Sequence, residues 1–209
     1  MSTVKILPAE YLYRVGVPEK FCHVTLEHYL PGIKTLKLSR KDELRYEQIV
    51  SYAKKIVDDG IVGFYFYGSN GAGKSSLGAA CLREYLVAKD MKVARATAQE
   101  ILTYYFKDYK GFRPRYTEAD VLLIEEINKE VDLGSQHSLK IIEGIIKGRE
   151  EAGKITCFTS NCDPEALLDK YGETVFNIVK GTTVAIDFPS VDIRELEMKK
   201  YVQSLKSGE

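Results

Sequence analysis

Residues 68–75 read GSNGAGKS, the pattern G-x-x-x-x-G-K-[ST], and residue types in that spacing can hold a polyphosphate. The glycines let backbone N–H groups close around α- and β-phosphates, Lys74 reaches the β- and γ-phosphates, and the Ser75 hydroxyl holds Mg²⁺. The candidate binding set is therefore Gly68, Ser69, Asn70, Gly71, Ala72, Gly73, Lys74, Ser75 and Ser76, with a nucleoside triphosphate as ligand. Such a pattern also arises by chance, so its flanks decide. Residues 61–67 before it are apolar and strand-favouring, and Leu77, Cys81, Tyr85 and Ala88 recur at helical spacing over 74–89. A strand, a glycine loop and a helix in this order set a helix N-terminus, with its partial positive charge, behind the phosphates.

A second candidate lies at 121–126, VLLIEE, four apolar residues followed by two carboxylates. At the end of a strand beside a phosphate loop, Glu125 would order Mg²⁺ and Glu126 would polarise the water that attacks the γ-phosphate. Asp is the more usual residue at the first position, and the extra methylene of Glu125 moves the carboxylate by about 1.5 Å, one C–C bond. The competing reading is a strand running out into a solvated acidic turn. In ITCFTSN, Asn161 follows another apolar strand, where its amide could orient water or report the γ-phosphate. Locally it serves equally well as a turn residue ahead of the helix that Asp163 begins.

These groups need elements to position them. Further strands are predicted at 91–97, 120–125, 154–160 and 182–188. A helix over 135–151 carries Leu139, Ile142, Ile145 and Ile146 on one face. Another starts with Asp163 as N-cap and Pro164 in its first turn and stops at Gly172, and a last one starts at Asp192 with Glu195 completing a capping box. Five strands alternating with helices predict an α/β fold, a three-layer P-loop architecture with a five-stranded parallel sheet covered on both faces. Ligands of such sheets bind at the carboxyl ends of the strands, where the glycine loop, Glu125, Glu126 and Asn161 all fall.

The length suits one domain. Thirty basic and thirty acidic side chains cancel, so no global positive field draws the chain to nucleic acid, and any such binding must be local. No stretch approaches the roughly 18 apolar residues of a membrane span and no signal-peptide core opens the sequence, which predicts a cytoplasmic protein without membrane contact. Cys22, Cys81, Cys157 and Cys162 form no C-x₂-C pair and read as reduced packing residues.

The local exception in charge is YYFKDYKGFRPRY, residues 104–116, with six aromatics and Lys107, Lys110, Arg113 and Arg115 against Asp108. Bases of a single strand can stack on exposed aromatic faces while cations track the phosphates, which makes Tyr105, Lys107, Lys110, Arg113 and Arg115 candidate DNA contacts. Alternatively Tyr105, Tyr109 and Phe112 are core anchors of a short helix and the cations are merely solvated.

With these pieces in place, the chain resembles the AAA+ ATPases of the DnaC/IstB type, the bacterial and phage replicative-helicase loaders and their transposition-helper relatives. The resemblance runs from GVPEKFCHVTLEHY at 16–29 through GSNGAGKS, TAQEIL, ADVLLIEEI, the helix ending in Arg149, and ITCFTSN to the closing block YGETVFNIVKGTTVAIDFPSVDIREL. It implies an AAA+ core over 31–209 with little or no separate lid domain, and an opening segment over 1–30 that packs near the nucleotide base. It implies ATP with Mg²⁺ as the switch, a replicative helicase or a transposase as partner, contact with single-stranded DNA, and an ATP-dependent homo-oligomer. Arg194 falls on the family's nucleotide-sensing arginine, alongside Lys74, Glu126 and Asn161 as catalytic candidates. The arginine-finger position holds Ile178, with Lys180 two residues on. Because a donated arginine is worth about 10³ to 10⁵ in rate in related phosphoryl transfers, weak or partner-stimulated hydrolysis is expected. An ATP-binding module that hydrolyses little is the alternative. Family loaders commonly carry an N-terminal helicase-gripping domain, whereas fifteen residues precede Gly16, so partner contact is expected elsewhere. A small-molecule kinase would show an arginine-rich lid, which is not identifiable. A guanine site would show N-K-x-D, which Asn128-Lys129-Glu130 fails at its acidic position.

Overall fold

Short strand-forming runs alternating with helical patterns build the architecture directly. The computed structural model describes residues 7–128 and 136–207. Its elements are α1 (Pro8–Arg14), a 3-10 turn at Glu19–Phe21, α2 (Leu26–Lys34), α3 (Arg40–Asp59), β1 (Gly63–Tyr67), α4 (Lys74–Ala88), β2 (Val93–Thr97), α5 (Ala98–Lys107) and α6 (Tyr109–Phe112), which runs into a π-type turn. Then come β3 (Val121–Glu125), α7 (Gln136–Glu151), β4 (Ile155–Thr159), α8 (Ala166–Thr182), β5 (Thr183–Asp187) and α9 (Ile193–Ser207). All five strands expected from the sequence form. They pair in the order β2-β3-β4-β1-β5, every pair parallel.

Strand side chains alternate between faces, so the sheet has a core on each side. Phe64, Phe66, Val121, Leu123 and Cys157 pack with Leu77, Cys81 and Tyr85 of α4 and with Ile49 and Ala53 of α3. Tyr65, Leu122, Ile124 and Phe158 pack on the opposite side with Ile142, Ile145 and Ile146 of α7 and Val175 and Val179 of α8. Leu12, Val17, Cys22, Leu26 and Tyr29 join the α4 side, and α2 runs across residue 30, so the opening segment shares a core with the sheet. That segment also covers the β2 edge, where the Arg95 N–H donates to the Val15 carbonyl at 3.0 Å.

Helix ends follow local chemistry with three differences from expectation. Asp163 accepts from the Ala166 N–H at 3.2 Å in the turn ahead of α8, but the N-cap of that helix is Glu165 and Pro164 stays outside it. Gly172 interrupts that helix (φ 80°, ψ 179°), but the helix resumes at once, because Val175 and Val179 gain burial under the sheet. At α9 the Asp192 carboxylate accepts from the Glu195 N–H at 3.1 Å. The Glu195 carboxylate turns to Lys199 at 2.5 Å, one helical turn on, and leaves the capping box half made. The predicted start of α7 at Ser135 lies outside the described residues.

The amino-terminal edge of the sheet is tied by Arg149 at the end of α7. Its guanidinium is 1% exposed and donates to the carbonyls of Tyr116 and Ala119 (2.8 Å each), Ile155 (2.6 Å) and Asp120 (3.5 Å) and to the Thr156 hydroxyl (3.0 Å). Burial lowers its pKa to about 10, still well above neutrality. No disulfide forms: Cys22, Cys81 and Cys157 are buried, and burial pushes the Cys157 thiol up to about 12, as suits inert packing residues. Cys162 is exposed. Among the described residues no helix is long and apolar enough to cross a membrane.

Candidate functional site

The glycine loop leaves the carboxyl end of β1, turns, and enters α4 at Lys74, bordering a cavity of about 680 Å³. Its backbone carbonyls are held by donors from three helices. The Tyr46 hydroxyl of α3 donates to the Ala72 carbonyl at 3.0 Å, and the Tyr29 hydroxyl of α2 donates to that of Gly73 at 3.3 Å. The Ile193 N–H at the start of α9 donates to the Gly71 carbonyl at 2.9 Å. Gly73 has φ 90°, and a Cβ there would stand 2.4 Å from the Tyr29 hydroxyl, so only glycine fits. Gly71 is equally closed, with the Asp192 carboxylate where its Cβ would be.

Lys74 is 8% exposed, and its ammonium donates to the carbonyls of Gly68 (2.8 Å) and Ser69 (2.6 Å). Burial first, and the positive charge of Arg194 second, lower its pKa to about 8, while the Glu126 carboxylate opposes the shift. A buried ammonium resting on neutral carbonyls beside a cavity fits a ligand that is itself an anion. Asn70 to Ser76 all line the cavity, whereas Gly68 and Ser69 serve it through the Lys74 contacts.

The two adjacent carboxylates separate. Glu126 adopts φ 54°, unusual for a residue other than glycine, and lines the cavity, with its N–H on the Thr159 hydroxyl at 3.3 Å. Glu125, expected as a metal ligand, does not line the cavity. Its carboxylate is 5% exposed and accepts from the Arg95 Nε at 2.6 Å and from the Arg95 Nη2, while Arg95 Nη1 reaches Glu100 at 2.7 Å. The physical reason is position: Arg95 on the neighbouring strand lies within reach of that carboxylate, and a buried charge takes the nearest counter-ion. Asn161 and Arg194 both line the cavity, as do Ser75 and Ser76. Phe21, Val24, Tyr29, Ile33 and Leu36 give it an apolar arm. Sequence reading missed Tyr46 and Arg95. Tyr46 falls on the apolar stripe of α3 with Ile49, Ala53 and Ile56 and reads only as core.

The aromatic and basic segment divides. Tyr105 packs edge-to-face on Phe112 (5.2 Å) and on Phe106, and Phe112 in turn meets Tyr116. Arg115 lies over the rings of Tyr104 and Tyr116 at 5.4 and 5.5 Å and donates to the Arg14 carbonyl at 3.3 Å. Both residues, expected to contact DNA, are thus engaged within the fold, because the aromatics find one another as core partners first. Lys107 and Lys110 are exposed, and beside them Phe106 stands 63% exposed. The side chains of Tyr109 and Arg113 are outside those described. Ile178 is half-buried against the α7 and α8 core, and the Lys180 ammonium lies 5.7 Å from the Phe176 ring.

No protein-family model matches the chain, and no curated protein matches it in sequence. Solved structures match in shape. The DnaC helicase loader aligns with a TM-score of 0.68 at 18% identity, over 82% of this chain and 100% of that one. The chain has a DnaC-type AAA+ fold. DnaI aligns with a TM-score of 0.64 at 18% identity, over 84% of this chain and 96% of that one. DnaA from Aquifex aeolicus, bound to AMPPCP, gives 0.62 at 18% identity, over 91% of this chain and 57% of that one, so the chain spans little more than half of DnaA. At this level of identity the shared property is the DnaC-type fold itself: a parallel sheet between helices, with a glycine loop at its carboxyl edge.

Proposed function

We propose that this chain is an ATP-dependent switch acting in DNA replication, a helicase loader that binds ATP in the cavity above the glycine loop. The observation that carries the reading is the Lys74 ammonium, buried on its own loop carbonyls with Arg194 and Glu126 beside it, poised for a polyanion. Lys74 and the N–H groups of 71–76 hold the phosphates, Asn161 and Arg194 report the γ-phosphate, and Glu126 orients the attacking water. The Ser75 hydroxyl would hold Mg²⁺, which would supply charge neutralisation to the phosphates. Glu125 joins that set only where Arg95 releases it. The apolar arm formed by Phe21, Val24, Ile33 and Leu36 takes the base.

Support for a replication role is the likeness to the DnaC helicase loader and to DnaI, together with a DnaA solved with AMPPCP and single-stranded DNA. In this chain single-stranded DNA meets Lys107, Lys110 and the exposed Phe106. The protein works in the cytoplasm, and its partner is a replicative helicase, with a transposase the counterpart for a transposition helper. ATP-dependent self-association accompanies the loaded state.

Titration with ATP tests the site: the parent binds and Lys74→Ala does not, and equal binding by both removes the assignment. Co-purification with replicative helicase against transposase tests the partner. A second reading, an ATP-binding module with little turnover, is favoured by Ile178, apolar and half-buried against the core, and by the capture of Glu125 by Arg95. Intact ATP binding with negligible hydrolysis in the presence of helicase and single-stranded DNA selects it. Glu126→Gln lowering turnover by about 100-fold, with binding kept, selects the ATPase.

A further inference from the structure

The glycine loop is held by two phenols from helices that do not otherwise belong to it, and their geometry decides where its amides point. In a planar trans peptide the C=O of one residue and the N–H of the next point in opposite directions, and no cis peptide occurs among the described residues. Three successive carbonyls are each engaged by a donor: Gly71 by the Ile193 N–H, Ala72 by the Tyr46 hydroxyl, and Gly73 by the Tyr29 hydroxyl and the Leu77 N–H. The following N–H groups, of Ala72, Gly73 and Lys74, each point opposite to the carbonyl before them, and all three residues line the cavity.

Both phenols are locked. Tyr46 is fully buried, edge-on to Phe188 at 6.2 Å, and Tyr29 is 5% exposed. Burial raises both hydroxyls well above their ordinary pKa, so each remains a neutral donor across the working pH range. Each therefore keeps a proton to offer the carbonyl it meets.

We infer that Tyr46 and, to a lesser degree, Tyr29 are positioning residues for phosphate, setting the amide cradle of the glycine loop before any ligand arrives. The inference rests on the nucleotide reading of the cavity and adds the residues that preorganise it. Their role differs from that of packing residues, because only the hydroxyl oxygen carries it and the ring can stay.

The test compares the parent with Tyr46→Phe and Tyr29→Phe in binding ATP, inorganic tripolyphosphate and adenosine. Tyr46→Phe weakens ATP and tripolyphosphate by about tenfold, the worth of a single hydrogen bond at its upper range, and leaves adenosine unchanged. Tyr29→Phe weakens both by about threefold, since the Gly73 carbonyl keeps the Leu77 N–H. Phe188→Leu loosens the ring packing of Tyr46 and leaves its hydroxyl in place. It lowers the melting temperature with tripolyphosphate affinity kept, a split that a merely structural role would not produce. A folded Tyr46→Phe that binds tripolyphosphate as the parent does overturns the inference, and so does parallel loss for adenosine. Should Tyr46→Phe not fold, Tyr29→Phe decides by the same two ligands. A parent that binds neither ATP nor tripolyphosphate overturns the nucleotide reading itself, whereas a parent that binds, with Lys74→Ala weakened and both phenylalanine variants unaffected, overturns only the role of the tyrosines.

Discussion

The two edges of the parallel sheet each bury a cation, and they treat it differently. At the amino edge Arg149 is enclosed by five acceptors from the π-type turn, the two residues just before β3 and the start of β4. At the carboxyl edge Lys74 rests, among the described residues, on two carbonyls, both from its own loop, and it borders a cavity. Among the described residues neither has a carboxylate within bonding distance, so both are stabilised by peptide dipoles. The planar guanidinium saturates its donors in one rigid geometry and becomes a staple. The ammonium, a point charge on a flexible stem, keeps contacts it can exchange for better ones. A buried charge therefore does not by itself mark a site. What marks one is a charge whose partners are few, local and next to a cavity.

The comparison is sharpest in stability. Arg149→Ala strands several buried carbonyls, and a loss of about 3 to 5 kcal/mol is expected in chemical denaturation. Arg149→Lys recovers little of it, since an ammonium cannot reach three chain segments at once. If Arg149→Ala melts with the parent, the staple reading fails. Lys74→Ala should behave in the opposite way, weakening ATP binding by about 100-fold while leaving the melting temperature unchanged or higher, because an incompletely compensated buried charge is removed.

The next effect is on pH. The folded pKa of Lys74, lowered to about 8, lies below its unfolded value near 10.5. Between those values the unfolded chain holds a proton that the folded chain has lost, so stability rises with pH across that window, and the penalty is full below about 8. Phosphate binding needs the ammonium and runs the other way: ATP affinity falls as pH rises above about 8. Calorimetry near pH 8 should show proton uptake on binding in the parent and none in Lys74→Ala.

The smallest effect concerns the adjacent carboxylates. Glu125→Gln keeps an acceptor for Arg95 and should change Mg²⁺-ATP affinity by less than about threefold, roughly 0.6 kcal/mol. A loss of 30-fold or more on that substitution would place Glu125 on the metal and require Arg95 to let go of it.

Much of this was legible locally. GSNGAGKS stood out as a tight loop at a strand end because such a loop needs glycine at crowded positions, as Gly73 against Tyr29 illustrates. The five strands were readable from apolar runs ending in turns, and Arg194, Asn161 and Ser75 do line one cavity, since parallel strands bring their carboxyl ends together. The segment at 104–116 was legible in composition but not in role. Tyr105 and Arg115 turn to one another's neighbours, and Lys107 and Phe106 are left outside, a choice set by which faces the sheet and α7 leave available.

The amino-acid sequence by itself determined the loop, the order of strands and helices and the place of Lys74 at the start of α4, because those depend on residue type and on spacings of a few positions. Only the tertiary structure decided which of two neighbouring glutamates faces the cavity, through the backbone of Glu126 and the reach of Arg95. It alone brought Tyr46 and Tyr29 to the loop, across 26 and 44 residues of chain. Long-range hydrogen bonds of that kind leave no periodic trace in sequence, since a buried tyrosine on a helix stripe looks the same whether its hydroxyl is idle or holding a loop.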